Sequence, residues 1–343
     1  MKIQRATLFS TLSAALLLFS TSCSDDDDNS MDNNDSVKVY ASNNSNGNIS
    51  IYDFSSSTSV TTKSLITVSS AADGIYFDED TETVYQASRS GNNLEGFIGV
   101  NDIVDGTVID TAISGASDMT SPREVAVRGN LYVVADNADV DGDANTPDGK
   151  LYIYTLSNGS FTLRNVVTTD IKLWGITFNG NDLYAVVDAT NQLAIYSDFL
   201  SNTTTTTVSA TKTIALEGIV RTHGITYDTS SDVLVMTDIA SATNGQDDGG
   251  FHVIENFTNK LNALANGETL ALSNQIRVSG SATSLGNPVD VAYDAESRTV
   301  YIAEAGNNGG RILAFNNIGT GGNLTPSFNS ALASASSVFI TSN

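Results

Sequence analysis

With a single cysteine, the chain cannot contain a disulfide framework, because one thiol has no partner within it. Basic side chains are also scarce, 16 against 39 acidic, and the net charge of -23 excludes a nucleic-acid binder, which needs clustered Lys and Arg to neutralise phosphates. Only 2 His and 1 Trp occur. No Gly-x-Ser-x-Gly elbow is found, and neither His has a Ser and Asp partner that spacing identifies, so nucleophilic catalysis finds no support. Past residue 22 no stretch approaches the ~18 apolar residues of a membrane span. What remains is a chain of 343 residues with 40% hydrophobic side chains, enough for two ordinary domains or one large all-β domain.

The first residues read as an address. Lys2 and Arg5 form a basic start, Leu8, Phe9, Leu12 and residues 14–19 an apolar stretch, and Ser20, Thr21 and Ser22 lead into Cys23. This resembles a bacterial lipoprotein signal, with Ser20 where Leu is usual, and implies lipidation of Cys23. Removing residues 1–22 takes away two positive charges and leaves 14 basic and 39 acidic side chains, or -25. Asp25, Asp26, Asp27 and Asp28 follow, similar to the surface-export signal of some Gram-negative lipoproteins, in a segment too charged to pack. The expected division is a signal peptide at 1–22, an acidic tether at 23–36 and a folded domain at 37–343. The implied location is the outer membrane, facing the cell surface.

The folded part is repetitive. A short strand opens each unit: Asp73-Gly74-Ile75, Arg123-Glu124-Val125, Trp174-Gly175-Ile176, His223-Gly224-Ile225, Val289-Asp290-Val291 and Ser336-Ser337-Val338. Polar turns follow, and then second strands beginning Val84-Tyr85, Leu131-Tyr132, Leu183-Tyr184, Val233-Leu234 and Val300-Tyr301. Third strands start near Gly96, Lys150, Gln192, Gly250 and Arg311, and fourth strands are expected at 108–113, 161–167, 212–216 and 275–278. Four short strands per unit describe a propeller blade, and 307 residues divided by six gives about 51 per blade. The wide fifth unit is expected to hold an insertion helix within 255–274, where Phe257, Leu261, Leu264 and Ala265 fall at helical spacing. Residues 37–40 and 47–52 supply second and third strands without a first, while 337–341 is a first strand with nothing after it. Together they complete one blade, closing an all-β, six-bladed propeller.

With Leu131-Tyr132-Val133-Val134-Ala135-Asp136, Val300-Tyr301-Ile302-Ala303-Glu304 and Val39-Tyr40-Ala41-Ser42 in view, residues 37–343 resemble the NHL and YVTN repeat propellers, and distantly the gluconolactonase/regucalcin group. The resemblance is one of fold. In gluconolactonase-like enzymes a Glu, an Asn and an Asp hold a divalent metal in the central channel; no Asn here occupies a matching first-strand position. Streptogramin lyases, also similar propellers, use a catalytic His, and nothing beside His223 matches their site.

On a propeller the loops leading into the first strands share one face with those joining second to third strands. Asp73, Arg123, Glu124, Trp174, His223 and Asp290 are therefore the candidate ligand-binding ring, with Trp174 as stacking face, Arg123 as donor and the acids as acceptors. Glu124 and Asp290 are the pair to consider for acid/base work. In the loop 136–149, Asp139, Asp141, Asp143, Asn145 and Asp148 present oxygens suited to calcium, although Gly142 comes too early for an EF-hand. Residues 244–249, with Asp247 and Asp248, are a weaker copy. Glycine-rich runs at 306–310 and 319–322 lack a following Lys and read as turns, and Asp110-Thr111-Ala112 and Asp35-Ser36-Val37 resemble a short bacterial O-glycosylation pattern. The reading is a lipid-anchored binding module for a small polar ligand or an envelope protein; the alternative is a metal-dependent hydrolase or lactonase using channel carboxylates.

Overall fold

The second strands carry unbroken apolar runs because both of their faces are buried. In the computed structural model, which describes residues 37–56, 59–241 and 244–342, Val133, Val134 and Ala135 are sealed, as are Val84, Ala87, Val300 and Ile302. Each strand lies in a blade pressed between two others. Among the described residues the strands form six antiparallel blades in ring order. Blade 1 joins Ala335–Ser342 to Val37–Asn43, Ile49–Asp53 and Thr61–Leu65; blade 2 spans Ala72–Asp78 to Ile113–Ser114, and blade 3 Pro122–Arg128 to Ser160–Thr169. Blade 4 runs from Leu173–Asn179 to Lys212–Leu216, blade 5 from Ile225–Asp228 to Ile276–Ser279, and blade 6 from Pro288–Asp294 to Phe328–Ala331. The all-β, six-bladed expectation and its closure therefore hold, with the C-terminal strand paired to Val37–Asn43 from Val37↔Ser342 to Asn43↔Ala335.

The apolar core is divided among the blade interfaces. One cluster joins Leu151 and Ile153 of blade 3 to Leu173 and Ile176 of blade 4; another joins Phe251 of blade 5 to Phe315 of blade 6, whose rings are 5.2 Å apart. The expected helix is Phe257–Ala263, and its buried Phe257 and Leu261 close the interface of blades 4 and 5 from outside. Lys212 binds the carbonyls of Leu261 and Leu264 at its C-terminal end, where a cation meets the negative end of the helix dipole.

Outer edges are blunted by a device the repeat pattern does not announce. In four blades the connection between third and fourth strands reaches back along the outer edge of the preceding blade and pairs with it in parallel: Thr206–Val208 on blade 3, Thr269–Leu270 on blade 4, Val108 on Ile66 and Gly322 on Val278. Each of these edges loses free amides and carbonyls that would otherwise template aggregation.

Candidate functional site on the propeller axis

The inner strands, with the residues leading into them, descend side by side, so equivalent positions form layers around the axis. Their registers against the second strands (Ile75↔Gln86, Val125↔Val134, Ile176↔Ala185, Ile225↔Met236, Val291↔Ile302, Val338↔Ala41) fix the levels. Two residues earlier lies an upper layer of Asp73, Arg123, Trp174, His223, Val289 and Ser336. Beneath it lies a layer of Gly74, Glu124, Gly175, Gly224, Asp290 and Ser337. The candidate ring of the sequence is thus two layers, with Glu124 and Asp290 below the other four.

The three glycines explain how the layers form. Gly175 donates its amide to the carbonyl of His223 at 3.0 Å, and a Cβ there would stand 2.4 Å from that oxygen; a Cβ on Gly224 would stand 2.6 Å from the Cα of Asp290. Bare backbone lets neighbouring inner strands touch. The axis at this level is left to Glu124, Asp290 and Ser337.

In the upper layer the polar groups are chained. The Trp174 indole lies between its neighbours from the adjoining blades: the His223 ring is stacked at 3.6 Å and 3°, and the Arg123 guanidinium carbon sits 4.2 Å from the ring centre. Trp174 is therefore a spacer between a cation and an imidazole rather than a free stacking face. Arg123 reaches Asp73 at 3.2 Å, with Arg89 at 3.8 Å from the same carboxylate oxygen. At the other end Nε2 of His223 meets Asp188 at 3.0 Å, and Lys172 is 3.4 Å from the second Asp188 oxygen. Burial would raise Asp188, but the hydrogen bond and charge of His223, with Lys172, hold it below the usual carboxylate range. Burial also depresses His223, helped by the charges of Arg221 and Arg123 and opposed by Asp188. The imidazole is therefore neutral at pH 7. Because a carboxylate only accepts, Nε2 carries the proton and Nδ1 presents a lone pair. That Nδ1 and the Nε of Arg123 are both buried and have no hydrogen-bond partner among the described residues.

The lower layer brings two buried acids together. The Ser337 hydroxyl donates to Asp290 at 2.6 Å and the Val338 amide to the same oxygen at 2.8 Å, while the nearer contact of Glu124 is the Val125 amide at 2.9 Å, with Ser337 at 3.5 Å. Burial pushes Asp290 up to about 7, against the pull of the Ser337 and Val338 hydrogen bonds. Glu124 is raised well above its ordinary value, by burial first and then by Asp290. A raised folded pKa means that folding retains a proton which the unfolded chain, titrating near ~4, gives up, so the stabilisation is complete below that pH and is lost as pH rises through about 7. Asp290→Asn keeps an acceptor for Ser337 and Val338 and removes the charge. Its thermal midpoint is expected to compare least favourably with wild type below pH ~4 and to gain on it as pH rises through about 7, exceeding it above neutrality; a variant that instead loses midpoint most at alkaline pH would overturn this assignment.

The acidic loop is only partly assembled. Carboxylate oxygens of Asp139, Asp141 and Asp148 lie within 4.8 Å of one another, whereas Asp143 accepts from the Asn145 backbone and side-chain amides at 3.0 and 2.8 Å and stays apart with it. In the weaker copy, Asp247 and Asp248 are taken by Asn244 and Ser241. Thr111 is part-buried and its hydroxyl is enclosed, whereas Ser36, the signal peptide, Cys23 and the acidic run lie outside the described residues.

Asp188, Lys172, Arg89 and Ser337 escaped the sequence reading. In blades 3, 5 and 6 the second strand ends in an acid, and Asp136, Asp238 and Glu304 accept backbone amides of the loop leading into their own blade, at Thr120 and Ser121, Val220 and Arg221, and Gly286 and Asn287. In blade 4 that level is held by Val187, and Asp188, one residue further on, turns to the histidine of the next blade. No repeat of the pattern marks Asp188.

Fold and axial layers define a six-bladed β-propeller. Periplasmic gluconolactonase from Pseudomonas aeruginosa superposes with a TM-score of 0.59 at 11% identity, covering 89% of this chain and 99% of that one. A protein of Bacteroides fragilis NCTC 9343 assigned as a 6-phosphogluconolactonase gives 0.58 at 10%, covering 90% and 98%, and a chain of a nidogen/laminin complex gives 0.58 at 13%, covering 89% and 98%. At these identities the likeness is one of fold. No family model and no curated protein matches the sequence.

Proposed function

We propose that the chain is a recognition propeller whose upper axial layer binds a small hydroxyl-rich ligand, a sugar or sugar acid, without turning it over. The observation that carries this reading is the pair of unsatisfied atoms flanking Trp174. A buried polar group without a partner costs about 1–3 kcal/mol, and Nδ1 of His223 needs a donor where Nε of Arg123 needs an acceptor. A hydroxyl serves as either, so a polyhydroxylated ligand that reaches this layer satisfies both atoms, which the fold encloses when it is alone. Calorimetric titration with monosaccharides, sugar acids and their lactones is expected to give saturable binding that His223→Ala and Arg123→Ala each weaken by at least ~10-fold. Wild-type affinity in both variants would refute the assignment.

Hydrolysis is the second reading, favoured by the Glu124 and Asp290 pair and by neighbours named as gluconolactonases. Against it, both acids lie beneath the layer that would hold the substrate. Anchoring at the cell surface rests on Cys23 and the acidic run, and membership of the NHL or YVTN repeats on the strand motifs.

Calcium at the loop is proposed for Asp139, Asp141 and Asp148 alone. Calcium at about 100 times its dissociation constant is then expected to stabilise the propeller by ~2.7 kcal/mol. Thermal melts with calcium and with chelator check this: the gain disappears in Asp141→Ala and survives in Asn145→Ala. A midpoint indifferent to calcium removes the metal.

A further inference from the structure

Beneath the paired acids the axis is hollow. A cavity of about 230 Å³ begins at Glu124 and Asp290 and continues toward the opposite end of the inner strands, to Val127, Phe178, Tyr293 and Ile340. None of the upper-layer groups lines it. Ile75, Val125, Ile176, Ile225, Val291 and Val338 line it together with Tyr76, Thr177 and Thr226, and among the described residues its only charged lining groups are the two carboxylates at its head. Among the described residues these acids have no ion-pair partner: the Ser337 hydroxyl is committed to Asp290 at 2.6 Å and is 3.5 Å from Glu124. The far end is acidic as well, since Asp78, Glu79 and Asp80 line one surface cavity there beside Tyr76 and Phe339, and Asp228, Asp294 and Glu296 another beside Tyr293. Of the basic residues on the same turns, Arg298 is paired with Glu255 and Arg128 is exposed.

We propose that this channel is a second binding site, for a slender organic cation that places an ammonium between Glu124 and Asp290 and lays an aliphatic chain along the wall. Three features select that chemistry. Two buried acids without a cation call for positive charge once they ionise, because a buried charge left unpaired is strongly unfavourable. The acidic far end concentrates cations at the mouth. The head of the cavity then discriminates among cations: calcium or magnesium requires about six oxygens, and here two carboxylates and the Ser337 hydroxyl, already committed to Asp290, stand above Ile75, Val125, Ile176, Ile225, Val291 and Val338, with Thr177 and Thr226 as the hydroxyls among them. An ammonium needs only three acceptors, and its alkyl chain gains the apolar contacts that a hydrated metal cannot use. The volume corresponds to about seven or eight water molecules in the liquid, which suits a short alkylamine. The site is independent of the upper layer and stands or falls without it.

Calorimetry of the purified protein with n-hexylammonium, n-hexanol, hexanoate and calcium tests this. Hexylammonium is expected to bind saturably, to bind more tightly above neutrality as the acid pair gives up its proton, and to weaken by at least ~10-fold in Glu124→Gln and in Asp290→Asn, while hexanol and hexanoate do not bind. Should either substitution impair folding, the preference of the wild-type protein for the amine over the alcohol decides the matter. Equal binding of hexanol, binding of calcium alone at the acid pair, or undiminished amine affinity in the folded variants would overturn the proposal. A His223→Ala protein that retains amine binding separates this site from the ligand layer above.

Discussion

Removing residues 335–342 is expected to abolish cooperative unfolding. The strand Ala335–Ser342 is the inner strand of blade 1, and its loss uncovers Val39 and Ala41 while leaving Val37–Asn43 with one free edge. It also carries Ser337 and the Val338 amide, so Asp290 would lose two donors at once. Beyond the strand itself, the interface with blade 6, where Val338 and Ala335 pack against Val289 and Ala303, would open to water. Lost burial on two faces and an open ring together exceed the ~5–15 kcal/mol by which a domain is stable. Circular dichroism melts and size-exclusion profiles are the check. A cooperative transition at the wild-type midpoint would mean that blade 1 is not what closes the propeller.

A second large effect is expected from one methyl group. Gly175→Ala places a Cβ 2.4 Å from the His223 carbonyl oxygen and 3.0 Å from Ile225 Cγ2. The nearer obstacle is backbone, so no rotamer change relieves it; the inner strands of blades 4 and 5 must separate, and the hydrogen bond from the Gly175 amide to the His223 carbonyl is lost. Overpacking of this kind costs about 1–3 kcal/mol and a lost hydrogen bond about 1 more. Because the displaced residue is His223, the stack on Trp174 should be disturbed as well. Denaturant titration is expected to show the stability loss, and the emission of the sole tryptophan a changed environment. Gly129→Ala is the control: its positive φ of 59° makes a small local cost, but nothing lies within 4 Å of the added Cβ and the axis is untouched.

How much of this was readable beforehand follows from what repeats and what does not. Blade boundaries are legible because each blade reuses one pattern, and the ends at 37 and 341 complement each other as parts of one unit. The insertion helix was visible because Phe257 and Leu261 are spaced for one buried face. Edge pairing by Thr206–Val208 and Thr269–Leu270 was not, since a two- or three-residue parallel strand has no period of its own. For the site, alignment of first-strand openings gives one ring of six, where the structure sets Asp73, Arg123, Trp174 and His223 on one level and Glu124 and Asp290 on the next. It could not show that Trp174 has neighbours on its faces, because side-chain stacking depends on the distance between blades, which Gly175 and Gly224 set. Nor could it single out Asp188, which lies one residue past its second strand, whereas Asp136 and Asp238 are the last residues of theirs; its role depends on a histidine of the next blade.

Trp174 provides the most direct test of the ligand layer, because it is the only tryptophan and lies between the two groups assigned to binding. Its fluorescence can be titrated with gluconate and with gluconolactone while acid release from the lactone is followed in the same sample. A saturable change in emission that disappears in His223→Ala and Arg123→Ala, with acid appearing no faster than in buffer, is the predicted result. Enzymatic acid release that Glu124→Gln or Asp290→Asn abolishes would contradict the account and make the propeller a hydrolase.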